Sequence, residues 1–196
     1  MSQQDPWQTL DSRVVYDNPW IHVSHHQVIQ PSGSEGMYGV VHMKNVATGV
    51  VPIDEEGYTW LVGQWRYPLK AYSWEIPEGG GDPDQPSLQA IQRELLEETG
   101  LVASEWNFIQ ELHLSNSVTD EVAHIYVAKG IRQVAEPTPE PCEELTVKRL
   151  PLAEAIHMVK SGVITDAISV VALLKVQEEL NLEERGNHVD PSIDID

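Results

Sequence analysis

The segment Gly79 to Leu101, GGGDPDQPSLQAIQRELLEETGL, constrains this chain more than any other stretch, because a glycine-rich turn there must deliver a helix carrying three carboxylates within one turn. Pro83 and Pro86 punctuate the turn, Ser87 is placed to cap the helix start, and Gly100 suits the left-handed residue that ends it. Leu88, Ile91 and Leu95 recur at helical spacing and form an apolar stripe. Glu94 and Glu98 stand one turn apart on another face, with Glu97 beside them. Like charges at this spacing cost a bare helix about 0.2–0.5 kcal/mol per pair, so that face calls for a positive partner. A hard divalent cation, which takes carboxylate, water and phosphate oxygens, meets the need. Turn and helix together suit the holding of a metal ion against a phosphate.

The flanking sequence alternates between short extended runs and turn residues. VVY, WIHVSHHQVIQ and MYGVVHM read as strands, with Pro31-Ser32-Gly33 turning the second into the third. Gly49–Ile53 and Tyr58–Gln64 read as a second hairpin about Asp54-Glu55-Glu56-Gly57. Tyr72–Ile76 leads into the glycine-rich turn, and Trp106–Leu114, Val122–Ala128 and Leu145–Leu150 follow as strands. Leu152–Lys160 and Asp166–Glu184 read as helices, the first closed by Gly162. Strands on both sides of one helix, then two helices, predict an α/β fold with a mixed sheet and helices on both faces.

Charge and cysteine content narrow the function classes. With 12 Lys+Arg against 31 Asp+Glu, the net charge is −19, which excludes the basic footprint that long nucleic acid requires. A small anionic substrate remains compatible, since a metal ion and a few placed arginines invert the local field. Cys142 is the single cysteine, so neither an intrachain disulfide nor a thiolate metal cluster is available. The eight histidines lack His-Glu-x-x-His spacing, and His22, His25 and His26 lie in an extended run. MSQQDPWQTL has no basic and apolar leader, and no run approaches a membrane span, so a cytoplasmic location without membrane association is expected.

The Gly79 segment resembles the Nudix box: Gly, five residues, Glu, seven residues, then Arg-Glu-apolar-any-Glu-Glu-any-Gly-apolar. Gly79, Arg93, Glu94, Leu95, Glu97, Glu98, Gly100 and Leu101 fall on that pattern, and Gln85 replaces its isolated Glu. The resemblance implies a Nudix-type α/β/α sandwich with a mixed sheet, preceded by an N-terminal antiparallel β segment. It divides the chain into a β segment at 1–45 that serves dimerisation, a hydrolase domain at 46–185 and an acidic flexible tail at 186–196.

Further stretches resemble the branch of that family that hydrolyses ADP-ribose and nucleoside diphosphate sugars: VGQWRYPL around Arg66, SWEIPEGG leading into the box, and LPLAEAIHMVKSGVITDAISVVALL. The implied reaction is attack of water on the pyrophosphate of a small nucleotide sugar (the ADP-ribose, ADP-glucose or GDP-mannose type), giving a nucleoside monophosphate and a sugar phosphate. By the same resemblance Glu94, Glu97 and Glu98 ligate Mg²⁺, or Mn²⁺ in its place, with the Glu78 carbonyl as a further oxygen. Arg66 holds a phosphate, Glu75 lies on the substrate side, and Arg93 fixes the glutamates. The general base falls in EPTPEPCEEL, with Glu140 as base and Glu143 as its metal-side partner, while Glu136 and Glu144 share the stretch. Trp20 and Tyr38 match positions where the resembling enzymes stack rings on the nucleobase, in a pocket shared by two subunits of a homodimer; ordinary strand packing is the other reading of both rings.

Two departures bear on substrate. Ser115-Asn116-Ser117 stands where ADP-ribose enzymes carry a proline, which favours a sugar nucleotide. Gln85 brings no charge to the metal, leaving Asp82 or Asp84 to compensate. A non-catalytic nucleotide-sensing domain is one alternative reading, and removal of a 5′ pyrophosphate from RNA is another.

Overall fold

Val50 and Val51 are adjacent in one strand and both are fully buried, which requires packed layers on both faces of that strand. The computed structural model, which describes residues 4–139 and 144–186, shows those layers. The central sheet has the order β7(Glu78–Gly81)-β4(Val46–Pro52)-β10(Val122–Lys129)-β9(Glu105–His113). β10 runs parallel to β4 and antiparallel to β9, so the sheet is mixed. Helix α1 (Ser87–Thr99) covers one face, where Ile91 and Leu95 pack with Val50, Leu101, Tyr126 and Ala128. On the other face, Val51, Ile125 and Val127 pack with Ile156 of α2 (Leu152–Lys160) and with Ile168, Leu173 and Val176 of α3 (Ala167–Gly186). Odd and even residues of the same strands thus feed two separate cores, the period-two consequence of a strand buried on both sides.

A second sheet, β12(Thr146–Pro151)-β5(Tyr58–Arg66)-β6(Ala71–Glu75), is antiparallel throughout. It corrects one expectation: Asp54–Gly57 is a turn, with Gly57 N donating to the Asp54 carbonyl at 3.1 Å and Gly57 at φ 77°, but β4 and β5 do not pair. They belong to different sheets, because β4 is flanked by β7 and β10 while β5 is flanked by β6 and β12. Turn chemistry specifies a reversal and not a pairing. A short pair, β8(Leu101–Val102) with β11(Arg132–Gln133), continues from the end of α1.

The N-terminal strands β1(Gln8–Asp17), β2(Ile21–Ile29) and β3(Glu35–Met43) form a separate antiparallel sheet, and Pro31-Ser32-Gly33 does turn β2 into β3. β1 is longer than VVY alone suggested, and all ten of its residues are exposed. This sheet touches the rest of the chain mainly at residues 115–120: Val41 N donates to the Val118 carbonyl at 2.8 Å, and the Tyr38 hydroxyl to the Ser117 carbonyl at 2.6 Å. Among the described residues, no helix is long and apolar enough to cross a membrane.

Candidate active site beneath helix α1

The stretch read as a glycine-rich turn is in part a strand. β7 pairs with β4 in the register Glu78↔Gly49 to Gly81↔Val46, and only after Gly81 does the chain turn through Pro83 into α1. Glycine is required here for close approach: a Cβ on Gly79 would lie 2.2 Å from Cδ of Glu94, and one on Gly81 would lie 2.6 Å from Cβ of Ala90. The helix therefore lies almost on the strand, which puts the Glu94 carboxylate against the main chain of Gly79.

The helix ends differ in how well the sequence foretold them. Gly100 is the left-handed C-cap, at φ 71° with its N–H on the Leu96 carbonyl. Ser87, in contrast, does not cap: Pro86 holds that position, and the Ser87 hydroxyl instead meets Tyr126 Oη and His124 Nδ1, each at 2.8 Å. A cross-sheet pair of partners has displaced the local one.

Around this contact the carboxylates gather. Glu98 is 2 % exposed, and its Oε2 accepts the Glu78 N–H at 3.0 Å, tying the helix to the strand. Arg93 reaches from Glu94 (2.6 Å) to Glu97 (2.8 Å) and to the Gly80 carbonyl (3.1 Å), so one guanidinium spans two of the three helix glutamates. Each helix glutamate thus has one named neighbour that limits its motion.

The second sheet supplies the cationic side of the site. Arg66 and Glu75 lie on the same face of the β5–β6 pair, since Arg66 pairs with Ala71 and Val62 with Glu75. The guanidinium forks onto the buried Glu75 carboxylate, with Nε at 2.9 Å from Oε1 and Nη2 at 2.5 Å from Oε2, and Nη2 also reaches Glu78 Oε1 at 2.7 Å. Burial acts to lower the Arg66 pKa, but Glu75 and Glu78 outweigh it and hold the group charged. Glu78 is pushed well above the usual carboxylate range, first by burial and then by Asp166 and Glu75, against the opposing pull of Arg66. Its Oε2 is buried without a hydrogen-bond partner.

Asp166 is the residue that sequence reading missed, having taken it only as a helix start. It does cap α3, accepting the Ser169 N–H at 2.7 Å, and it also brings a carboxylate oxygen within 4.8 Å of oxygens on Glu75 and Glu78. The signal available was an Asp just ahead of an apolar helical run, which marks a cap but not what lies across from it. Glu121, half-buried in the loop before β10, was missed too; burial, then Asp166, raises its carboxyl.

Carboxylate oxygens of Glu75, Glu78 and Asp166 lie within 4.8 Å of one another, Glu98 is tied to the Glu78 N–H, Glu94 lies against Gly79, and one Glu78 oxygen is an orphaned buried acceptor; such a set of hard oxygens fits a divalent cation. Glu140 and Glu143 lie outside the described residues. The segment before them runs along the end of α1: Val134 N donates to the Gly100 carbonyl at 3.0 Å and Thr138 N to the Glu97 carbonyl at 2.7 Å. Glu136 and Glu144 are exposed.

Trp20 and Tyr38 are not brought together within one chain. Trp20 directly precedes Ile21, which pairs with Met43, whereas Tyr38 pairs with His26, so six residues put them roughly 20 Å apart along the sheet at ~3.4 Å per residue. Trp20 is 66 % exposed, while Tyr38 meets the edge of Trp7 at 5.4 Å between centroids.

Comparison with known proteins agrees with this geometry. The NUDIX domain profile matches residues 43–174, and the nucleoside diphosphate sugar hydrolase N-terminal domain profile matches residues 7–41. The chain is similar to an ADP-ribose pyrophosphatase of Mycobacterium tuberculosis, 31% identical over 185 residues that cover 90% of this chain and 85% of that protein. It is similar also to a GDP-mannose pyrophosphatase of Cronobacter sakazakii, 32% identical over 98 residues, 49% of this chain and 51% of that one. A crystal structure of an ADP compounds hydrolase shares the fold, with a TM-score of 0.82 at 24% identity, covering 94% of this chain and 100% of the other. A glycine strand pressed under a helix of three glutamates, within a profile match spanning most of the chain, makes this protein a member of the Nudix hydrolase family.

Proposed function

We propose that this hydrolase cleaves the pyrophosphate bond of nucleoside diphosphate sugars, of the ADP-ribose, ADP-glucose or GDP-mannose type, in a Mg²⁺-dependent reaction. Its products are a nucleoside monophosphate and a sugar phosphate. The observation that carries the reading is the closeness of the Glu94 carboxylate to the Gly79 main chain, with the Arg66 guanidinium of the second sheet bonded to the preceding residue, Glu78.

Glu94, Glu97 and Glu98, with the Glu78 carbonyl, would hold the cation, which when bound offsets charge on the bridging phosphates and lowers the pKa of water. Arg93 keeps Glu94 and Glu97 apart and oriented. Arg66 offers planar donors to a phosphate oxygen while Glu75 fixes its fork, a preorganisation that leaves little rearrangement for the reaction. Glu140 accepts the proton of the attacking water, with Glu143 as its metal-side partner. What supports this reading is the proline-spaced acidic stretch EPTPEPCEEL, whose described start runs past the end of α1, with Thr138 N donating to the Glu97 carbonyl.

The N-terminal sheet supports a homodimer. Its edge strand is unpaired on one side among the described residues, and Leu10, Val14, Tyr16 and Trp20, each more than half exposed, leave apolar surface for a partner to cover. A homodimer covers this surface and lets Trp20 of one copy and Tyr38 of the other reach one nucleobase. A cytoplasmic site of action suits nucleotide substrates and a chain with one cysteine.

The deciding experiment is a panel of nucleoside diphosphate sugars, ADP-ribose and dinucleoside polyphosphates, incubated with Mg²⁺ or with EDTA and resolved by product. Monophosphate and sugar phosphate appearing together, only with metal, are the expected result. Release of inorganic phosphate, or turnover of dinucleotides alone, would overturn the assignment.

A further inference from the structure

Three histidines, a buried serine and an aspartate lie together where the N-terminal sheet meets the body of the protein, and none of them enters the reaction above. Ser24 is 5 % exposed, and its Oγ lies 2.8 Å from Nε2 of His42 and 2.6 Å from Nε2 of His26. His42 Nδ1 lies 2.6 Å from Oδ2 of Asp120. The His22 ring stacks on His42 at 4.3 Å between centroids.

The chain is continuous from the sheet to the loop. Burial acts to raise the Asp120 carboxyl, but the His42 and Met43 donors outweigh it and hold it below its ordinary value, so it accepts from His42 Nδ1. Ser24 Oγ, which can both donate and accept, joins His42 Nε2 to His26 Nε2. The result is a connected series, His26, Ser24, His42 and Asp120.

Asp120 is where this chain meets the site. Its other oxygen accepts Met43 N–H at 3.0 Å, its own N–H reaches the Val41 carbonyl at 3.4 Å, and the next residue is Glu121. Glu121 N donates to Thr119 Oγ1 at 3.1 Å, and its half-buried carboxyl feels Asp166, the carboxylate grouped with Glu75 and Glu78. The Asp120 carboxylate has two strand donors, so the loop cannot shift without breaking both.

We propose that Ser24 and His42 are positioning residues: their hydrogen-bond chain clamps Asp120 to strand β3 and thereby fixes the adjoining Glu121 at the edge of the site. The N-terminal sheet then shapes the pocket of its own chain. The effect on catalysis rests on the pyrophosphatase reading; the clamp itself does not.

The test joins amide exchange with a double-mutant cycle. In substrate-free protein, His42→Ala should speed exchange at Asp120 and Glu121 about tenfold, the worth of one charge-assisted hydrogen bond. His42→Asn, which keeps an N–H donor near the Nδ1 position, should restore slow exchange. Ser24→Ala, a milder change in case His42→Ala does not fold, should give an intermediate rate. On the substrate cleaved best, His42→Ala and Glu121→Gln should each lower kcat/KM, and the double variant should lose no more than the worse single one, because one acts through the other. Losses that multiply, unchanged exchange at Glu121 in His42→Ala, or failure of His42→Asn to rescue would overturn the proposal. Exchange is read without substrate, so the clamp is decided even if no nucleotide sugar is cleaved: release upholds it and unchanged exchange ends it.

Discussion

Gly79 and Glu94 are so close that a methyl group on Gly79 would fall 2.4 Å from Oε1 of Glu94. The atoms in the way are the far end of a side chain, and Gly79 has no left-handed backbone angle, so Gly79→Ala should fold with a small loss of thermal stability. The Glu94 carboxylate, displaced from the strand, should then bind Mn²⁺ or Mg²⁺ at least about tenfold more weakly by calorimetry, as for loss of support to a ligand. Wild-type metal affinity in this variant would remove Glu94 from the site.

Glu98→Gln separates charge from hydrogen bonding. The amide oxygen can still accept the Glu78 N–H, so the strand-to-helix tie persists and the fold should hold. Turnover should fall by about two orders of magnitude or more with the loss of one carboxylate ligand. The rise in melting temperature on adding Mg²⁺ to the wild type should shrink in the variant. A full Mg²⁺ shift together with full activity would show that Glu98 is structural only.

Acidity should affect metal-free protein through Glu78 with a definite sign. Its folded carboxyl binds a proton more tightly than the unfolded one, whose ordinary value is 4.5. The folded state thus holds more protons in the window above that value, and this group adds stability as pH falls from neutral toward about 4.5. Glu78→Gln removes the term while its amide oxygen can still accept from Arg66. The variant should be more stable than wild type at neutral pH, with the difference closing on acidification. Urea titrations with EDTA at several pH values measure it, and a gap that widens toward acid would refute the sign.

Trp20→Ala tests the shared pocket. Affinity for every substrate in the panel should drop by about 1–3 kcal/mol, the value of one stacked base, with kcat little changed. Sedimentation of the wild type should give a dimer. A monomeric wild type, or an unchanged KM in the variant, would return Trp20 and Tyr38 to packing roles.

The helical part of the candidate site was readable because it is local. Arg93, Glu94, Glu97 and Glu98 share a helix whose 3.6-residue period fixes their relative directions, and Gly100 ends that helix by an intrinsic backbone preference. The alternation that buries Val50 on one face and Val51 on the other is a property of any strand between two layers. These features follow from covalent geometry and apolar patterning, and the sequence by itself determined them. Tertiary structure alone decided what comes from far along the chain. Ser87 gave up its capping role to Tyr126 and His124; β4 and β5 parted into separate sheets; Glu78 lost the freedom of a loop residue and became a buried acid. Asp166 reached Glu75 and Glu78, and Asp120 reached His42, across separations that no periodicity encodes. Burial and proximity depend on how whole layers pack, and packing is summed over the chain rather than written at any one position.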